Sequence, residues 1–445
     1  MYKLIKIFTE TLMMDPKGKK QKLSTSAIAS PSLDLKKKKK QKVSKSLITT
    51  SPSHSEKDLV IPSPSVISKV DVGIAMKKQT DNAMFLTEKV ISAVATDSNF
   101  VFSPTSINAA LTMFAASSKD ETLRSSILSF IRSNSIDELN AVFSEIATIV
   151  LPDGSASGGP KISAVNGVWM AQSLRVDPSL KDLFENFFKA SFSLVDFRVK
   201  AEEVREEVNA WGSKHTNGLI KNILPPGSVT MDTVSIYGNA LYFKGTWEQK
   251  FPKRLTRDKE FHLLSGTSVS VPFMRNNRKQ YVEKYNGFKV LKLPFRQSGD
   301  TNRQFSMYFY LPDAMDGLNS LVEKMASSTC GFLDSHTPRI QAEVGQFRIP
   351  KFKIDFGFEA SSALNGLDLG SFKLYHKALV DIDEDGAEAA AVTAVSCASG
   401  GRGSNRSRRI DFVADHPFIF MIREDKTGTV LFVGQVVDPS KSSSD

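Results

Sequence analysis

The chain has 445 residues, 58 of them Lys or Arg and 48 Asp or Glu, for a formal net charge of +10. Residues 1–70 hold fifteen Lys, no Arg and five acids, so this stretch carries the whole excess, and residues 71–445 balance at 43 basic and 43 acidic side chains. A balanced body excludes a nucleic-acid binder built on overall charge; two Cys (Cys330, Cys397) exclude a disulfide scaffold or a Cys-rich metal centre and fit a reducing compartment; and no apolar run approaches the ~18 residues of a spanning helix.

Residues 1–70 read as a basic, Ser/Lys-rich disordered tail. Twelve Ser and only two aromatics, Tyr2 and Phe8, bury too little surface to offset the entropy of ordering. Two basic clusters stand out, Lys17–Lys22 and Lys36–Lys42. They read as a solvated linker without a partner or as an address for a nuclear-import receptor; a transit peptide fits less well, because those favour Arg and avoid acids. Nucleic acid is a further partner for such runs, weakly supported by charge alone. The start makes a poor signal peptide, since Lys3 and Lys6 break its short apolar patch. An intracellular site, nucleus or cytoplasm, is therefore expected, with no membrane span.

Order is expected from about residue 75, in a body covering 71–445. Ala83–Val94 carries apolar residues at helical spacing, and Asn99–Ile107 passes from strand to helix with Pro104 at a first-turn position. Ile107–Ala116 is almost wholly apolar and predicts a buried helix. Lys161–Met170 alternates as a strand, Ser179–Phe188 and Ala201–His215 predict amphipathic helices, and Val234–Phe243 predicts a long apolar strand. Strands follow through Gln341–Ile354, and Pro417–Ile422 with Thr429–Val437 predict a hairpin turning at Asp425–Gly428. Helices early and strands late predict an α+β fold with mainly antiparallel sheets.

Catalytic signatures are missing. No Gly-x-Ser-x-Gly occurs, the six His are scattered without metal-ligand spacing, and no phosphate loop with Gly-Lys-Ser/Thr is present. No enzyme activity, cofactor or metal is expected.

Residues 383–409 are chemically unusual: an acidic triplet, Gly386, a run of small side chains, then a Gly/Ser/Arg stretch suited to proteolytic attack. One reading is a plain exposed loop. The other is a segment able to become a strand. Alternation would then put Ala387, Ala389, Ala391, Thr393, Val395 and Cys397 on one face, with Glu388, Ala390, Val392 and Ala394 on the other. About a dozen ladder hydrogen bonds at roughly 0.5–1.5 kcal/mol each would drive such a strand into a sheet. A charge on the inward face would oppose it by several kcal/mol.

Gly386-Ala-Glu-Ala-Ala-Ala-Val-Thr393 resembles the hinge of a serpin reactive-centre loop. Asp411–Phe418 resembles the sequence after that loop, especially in plant serpins. Asn239–Trp247, Ser103–Ile107, Ile349–Phe352 and Leu431–Gln435 match further family segments. The resemblance runs from about residue 75 to the C-terminus. It implies a serpin fold of three mainly antiparallel β-sheets, about eight to nine helices and an exposed loop near 384–410.

It also implies a function: suicide inhibition of a serine or cysteine endopeptidase. The cleaved loop enters the large sheet as a strand and traps the acyl-enzyme. The alternative is a non-inhibitory serpin acting as a binding module. Carried over by position, Gly386, Ala387, Glu388, Ala389, Ala390, Ala391, Val392 and Thr393 form the hinge. Glu384 and Lys351 form a tether at the top of the loop, expected to be partly exposed and worth only ~0–1 kcal/mol. Ser103, Ser106, Asn239 and His376 form a polar shutter, and Trp247 closes the strand that begins at Asn239. The family register puts the scissile bond at Gly400–Gly401, with Arg402 as the alternative bait. Plant serpins usually present Arg at that position, so this chain departs from them.

Overall fold

The apolar face of the first helix sets the position of the core. Helix α1 (Lys69–Val94) buries Ala75, Met76, Ala83, Met84, Leu86, Val90 and Ile91. It starts six residues before residue 75, where the sequence led us to expect order; in this first stretch Val72 is buried while Ile74 faces solvent. The computed structural model describes residues 69–441 except 298, 329–330, 365–366, 368–371 and 388–408. The tail clusters Lys17–Lys22 and Lys36–Lys42 therefore lie outside the described residues, as do Glu388, Ala389, Ala390, Ala391, Val392, Thr393, Gly400, Gly401 and Arg402.

Helix α2 (Pro104–Ser117) is buried almost throughout. Ser103 caps it: its Oγ accepts the Ser106 N–H at 3.1 Å, and Pro104 occupies the position where no intrahelical donor is needed. Helices α3 (Glu121–Ile131) and α4 (Ile136–Glu145) follow, capped by Asp120 and Ser135. The expected helix over Ser179–Phe188 is two pieces. α5 (Pro178–Asp182) runs into a π-turn at Leu183–Phe187, and Leu183, Phe184 and Phe188 are all buried, which the wider turn accommodates. α6 is Phe197–His215 and α7 is Leu318–Ser327.

Three sheets carry the rest, and the fold is α+β. The seven-stranded sheet runs β1 (Phe100–Phe102), β17 (Val430–Val436), β16 (Phe418–Glu424), β9 (Phe305–Pro312), β8 (Phe288–Pro294), β7 (Gln280–Tyr285) and β10 (Gln341–Ala342). Every residue of β9, β16 and β17 is buried, which explains their unbroken apolar text. The four-stranded sheet runs β15 (Ile410–Val413), β11 (Val344–Pro350), β6 (Ser268–Met274) and β5 (Arg257–His262).

The six-stranded sheet runs β12 (Phe352–Glu359), β13 (Phe372–Ile382), β14 (Gly386–Ala387), β4 (Ser235–Thr246), β2 (Lys161–Ala171) and β3 (Ala190–Val195). α6 packs on one face of it through Val204, Val208 and Trp211, against Trp169, Ile236 and Tyr375. Trp169 and Trp211 meet edge to face at 5.2 Å. Gly167 makes room for them: a methyl there would fall 2.5 Å from the Trp169 ring. Most strand pairs are antiparallel; β4–β13, β2–β3 and β11–β15 are parallel.

Candidate functional site

The register of β4 against β13 defines the site. The two strands pair directly, in parallel, over five positions from Phe372↔Ser235 to His376↔Asn239. Above that point β14 lies between them, antiparallel to both: Ala387 is opposite Gly245 and Ile382, and Gly386 is opposite Thr246. Ala387 is 3% exposed and belongs to the main core. The first two residues of the small-residue run are thus already part of the sheet. Gly386 is required by contact, since a Cβ there would lie 2.0 Å from the Gly245 carbonyl oxygen.

The acidic triplet anchors this wedge. Asp383 folds into a tight turn, its Oδ1 accepting the N–H groups of Asp385 (2.8 Å) and Gly386 (3.2 Å). Trp247 receives the turn: its indole N–H donates to the Asp383 carbonyl at 2.9 Å and its backbone N–H to the Asp385 carbonyl at 2.9 Å. The indole stacks on Phe295, with ring centroids 4.7 Å apart. The Phe251 N–H holds the Glu384 carbonyl at 2.9 Å.

Glu384 and Lys351 meet at 2.8 Å, and Thr256 donates its hydroxyl to the other Glu384 oxygen at 2.7 Å. The pair is less exposed than the sequence led us to expect: Glu384 is 5% exposed, so its carboxylate relies on these partners. Burial pushes that carboxyl up, but the bonds from Lys351 and Thr256 outweigh it and hold it below the usual range. Asp385, which the sequence did not single out, is held by Lys250 at 2.8 Å and Lys253 at 2.9 Å. Burial again opposes ionisation, and the two lysines again win, keeping its carboxyl low.

The second cluster sits where β4 and β13 first touch. His376 is 2% exposed, and its Nε2 accepts the Ser103 backbone N–H at 3.0 Å. Burial depresses its pKa to about 3, so the imidazole is neutral. Phe102 and Phe358 present ring edges to it. Opposite it on β4, Asn239 donates its amide N–H to the Asn166 side-chain oxygen at 2.6 Å. Asn166 was not anticipated; it lies inside a plain alternating strand text and carries no motif. Ser103, Ser106, Asn239 and His376 are thus brought together around the base of the wedge. Glu384, Gly386, Ala387, Trp247 and Lys351 gather at its top.

The family profile described as Serpin (serine protease inhibitor) matches residues 77–373 and 368–439. The chain is 62% identical over 437 residues to "Probable non-inhibitory serpin-Z5" of Arabidopsis thaliana, covering 96% of this chain and all of that protein. It is 57% identical over 432 residues to Serpin-Z2 of the same plant, covering 97% of this chain and 99% of the relative. Among solved structures, Arabidopsis AtSerpin1 in its native stressed conformation superposes with a TM-score of 0.76 at 46% identity, over 84% of this chain and the whole of that one. Uncleaved ovalbumin shares the fold, with a TM-score of 0.65 at 22% identity over 81% of this chain and 99% of its own.

Proposed function

The chain belongs to the serpin family, and on that premise we propose that it is a suicide inhibitor of a serine or cysteine endopeptidase, acting as a trap rather than a catalyst. The observation that carries this reading is the wedge. Gly386–Ala387 sit antiparallel between β4 and β13 with Ala387 turned into the core. Continuing that register by alternation sends Ala389, Ala391 and Thr393 inward and Glu388, Ala390 and Val392 outward. Thr393 then arrives opposite Asn239 and His376, the first pair that must part for the strand to go further. No inward side chain on that path is charged or large.

In this mechanism the protease nucleophile adds to the bait carbonyl, the new amine terminus leaves, and the loop stays esterified to the enzyme. Insertion then outruns hydrolysis and carries the enzyme along. The family register puts the bait bond at Gly400–Gly401, with Arg402 as the alternative. A Gly bait offers no side chain to grip, so an Arg-preferring protease is the better match through Arg402.

A second reading is a non-inhibitory serpin used as a binding module. It is favoured by the name of the relative serpin-Z5 and by the Gly-Gly bait. One experiment separates the two: incubation with Arg-specific, elastase-like and papain-like proteases, followed by denaturing electrophoresis and melting of the loop-cleaved product. A gel-stable complex and a large rise in Tm on cleavage support inhibition. Cleavage with neither sinks it and leaves the binding module.

We also propose that the Lys17–Lys22 and Lys36–Lys42 clusters address the protein to the nucleus. The matches to serpin-Z5 and Serpin-Z2 cover 96% and 97% of the chain and so extend into this basic stretch. A fluorescent fusion should leave the nucleus when both clusters are changed to Gln. Unchanged distribution would remove the address reading.

A further inference from the structure

A cavity of about 220 Å³ lies between β2 and β4 on one side and α2, α4 and a second π-turn, Ile146–Val150 after α4, on the other. Its wall is mainly apolar, with Leu139, Val142, Phe143, Ile146, Phe188 and Leu241. Polar chemistry is set into that wall. Ser106, Asn108 and Asn239 all line the cavity, all are buried, and each carries a side-chain oxygen without a protein partner. Two lining threonines spend their protons on backbone carbonyls, Thr105 on Val430 and Thr112 on Asn108, so their oxygens remain acceptors. The wall is therefore rich in acceptors and holds no carboxylate; Lys189 is the one charged lining residue. Ala147 and Ala164, both solvent-exposed, line it as well and open it to the surface.

We propose that this cavity is a binding site for a small neutral aromatic amphiphile that brings hydroxyl or ring N–H donors, of phenol or indole size. An apolar cavity of about 150 Å³ accepts benzene, so 220 Å³ leaves room for one ring and a short polar substituent. The ring meets the Phe, Leu and Val wall, and the donor satisfies an oxygen of Asn239, Asn108 or Ser106 after a small side-chain rotation. Asn239 is both part of this wall and the β4 residue opposite His376. A ligand held there favours the closed arrangement of β4 and β13 by mass action. That consequence rests on the loop-insertion reading; the binding does not.

The test uses the full chain, with calorimetry and thermal melting in indole and in 4-ethylphenol. Indene and 4-ethyltoluene serve as isosteres lacking the donor. Saturable binding with a raised Tm is expected for the donor-bearing probes. Each isostere should bind about tenfold more weakly, the worth of one buried hydrogen bond. Ala147→Trp, at an exposed position that leaves the fold intact, should block the mouth and weaken binding at least about tenfold. Ala109→Phe should do the same from inside. No saturable binding up to the solubility limit, equal binding of indole and indene, or unchanged binding by Ala147→Trp would each overturn the site. A protease titration beside it keeps the two ideas apart. Probe binding without any gel-stable protease complex leaves the site standing and sinks only the inhibitor reading; a complex without probe binding does the reverse.

Discussion

Gly386 lies so close to Gly245 that a methyl group on it would fall 2.0 Å from the Gly245 carbonyl oxygen. The contact explains why a glycine opens the small-residue run: two backbones approach at a distance no side chain permits. Gly386→Ala should therefore push the first hinge residues out of the sheet. Loss of that docking should cost about 1–3 kcal/mol, in the range of other overpacking changes. Melting temperature and the rate of limited proteolysis between residues 388 and 408 check this. An unchanged Tm and cleavage rate would mean that the hinge is not held there in solution.

Ala387 is the first inward side chain of the run, and it is buried in the main core. Ala387→Arg would place a charge where insertion needs an apolar face. Proteases should still cut the loop of this variant, but the gel-stable complex should fall at least about tenfold, since several kcal/mol oppose docking. The partition between complex and cleaved product on one gel is the readout. A partition equal to that of the parent would remove strand insertion from the mechanism.

Lys351 and Glu384 form the tether at 2.8 Å, with Glu384 nearly buried and Lys351 about one-third exposed. Lys351→Met should cost about 1–3 kcal/mol, less than a fully buried pair because water reaches the lysine. The double change Lys351→Met with Glu384→Gln should recover part of that loss, since the stranded carboxylate is gone. Denaturant midpoints of the single and double variants test this. Glu384 and Asp385 both have lowered pKa values in the fold. Their stabilisation is complete above the ordinary carboxylate range near pH 4 and is lost as pH falls through their lower folded values. Glu384→Gln with Asp385→Asn should flatten the acid limb of stability in that window.

His376 acts in a different window. Its folded pKa of about 3 lies below its ordinary 6.5, so between those values the unfolded chain takes up a proton that the folded chain refuses. Stability should fall as pH drops through this range, by about 1.4 kcal/mol per unit from this residue. His376→Gln keeps an acceptor for the Ser103 N–H and cannot titrate. It should be less stable than the parent at pH 7.5, yet lose less on going to pH 5. Parallel slopes for parent and variant in urea titrations would contradict the assignment.

The order of elements was legible where local chemistry speaks alone. Pro104 behind a Ser cap, the apolar text of Val234–Phe243 and the turn at Asp425–Gly428 each carry their own instruction. The tether was readable through family resemblance, because Glu384 and Lys351 stand in matched segments. Asp385 with Lys250 and Lys253 was not, since nothing in the text around Phe251 says which carboxylate its lysines will meet. Asn166 stayed hidden for a similar reason: its role depends on strand register, which no single strand encodes. The docking of Gly386–Ala387 is also a tertiary event. Two residues set no periodicity, and only the contact with Gly245 reveals why the first must be glycine.

The parallel pairing of β4 with β13 has a further consequence for how this sheet would be unzipped. Among the described residues, five rungs, Phe372↔Ser235 to His376↔Asn239, join the two strands directly. A strand descending between them would break each rung once and replace it with two, one to either neighbour. The first parting, at Asn239 and His376, is made against a buried neutral imidazole and a paired amide. Every later parting gains more ladder than it loses. The trip is then a latch followed by a descent, and its speed is set by the latch. Loop length would govern where the cargo ends, and the shutter residues would govern when it starts.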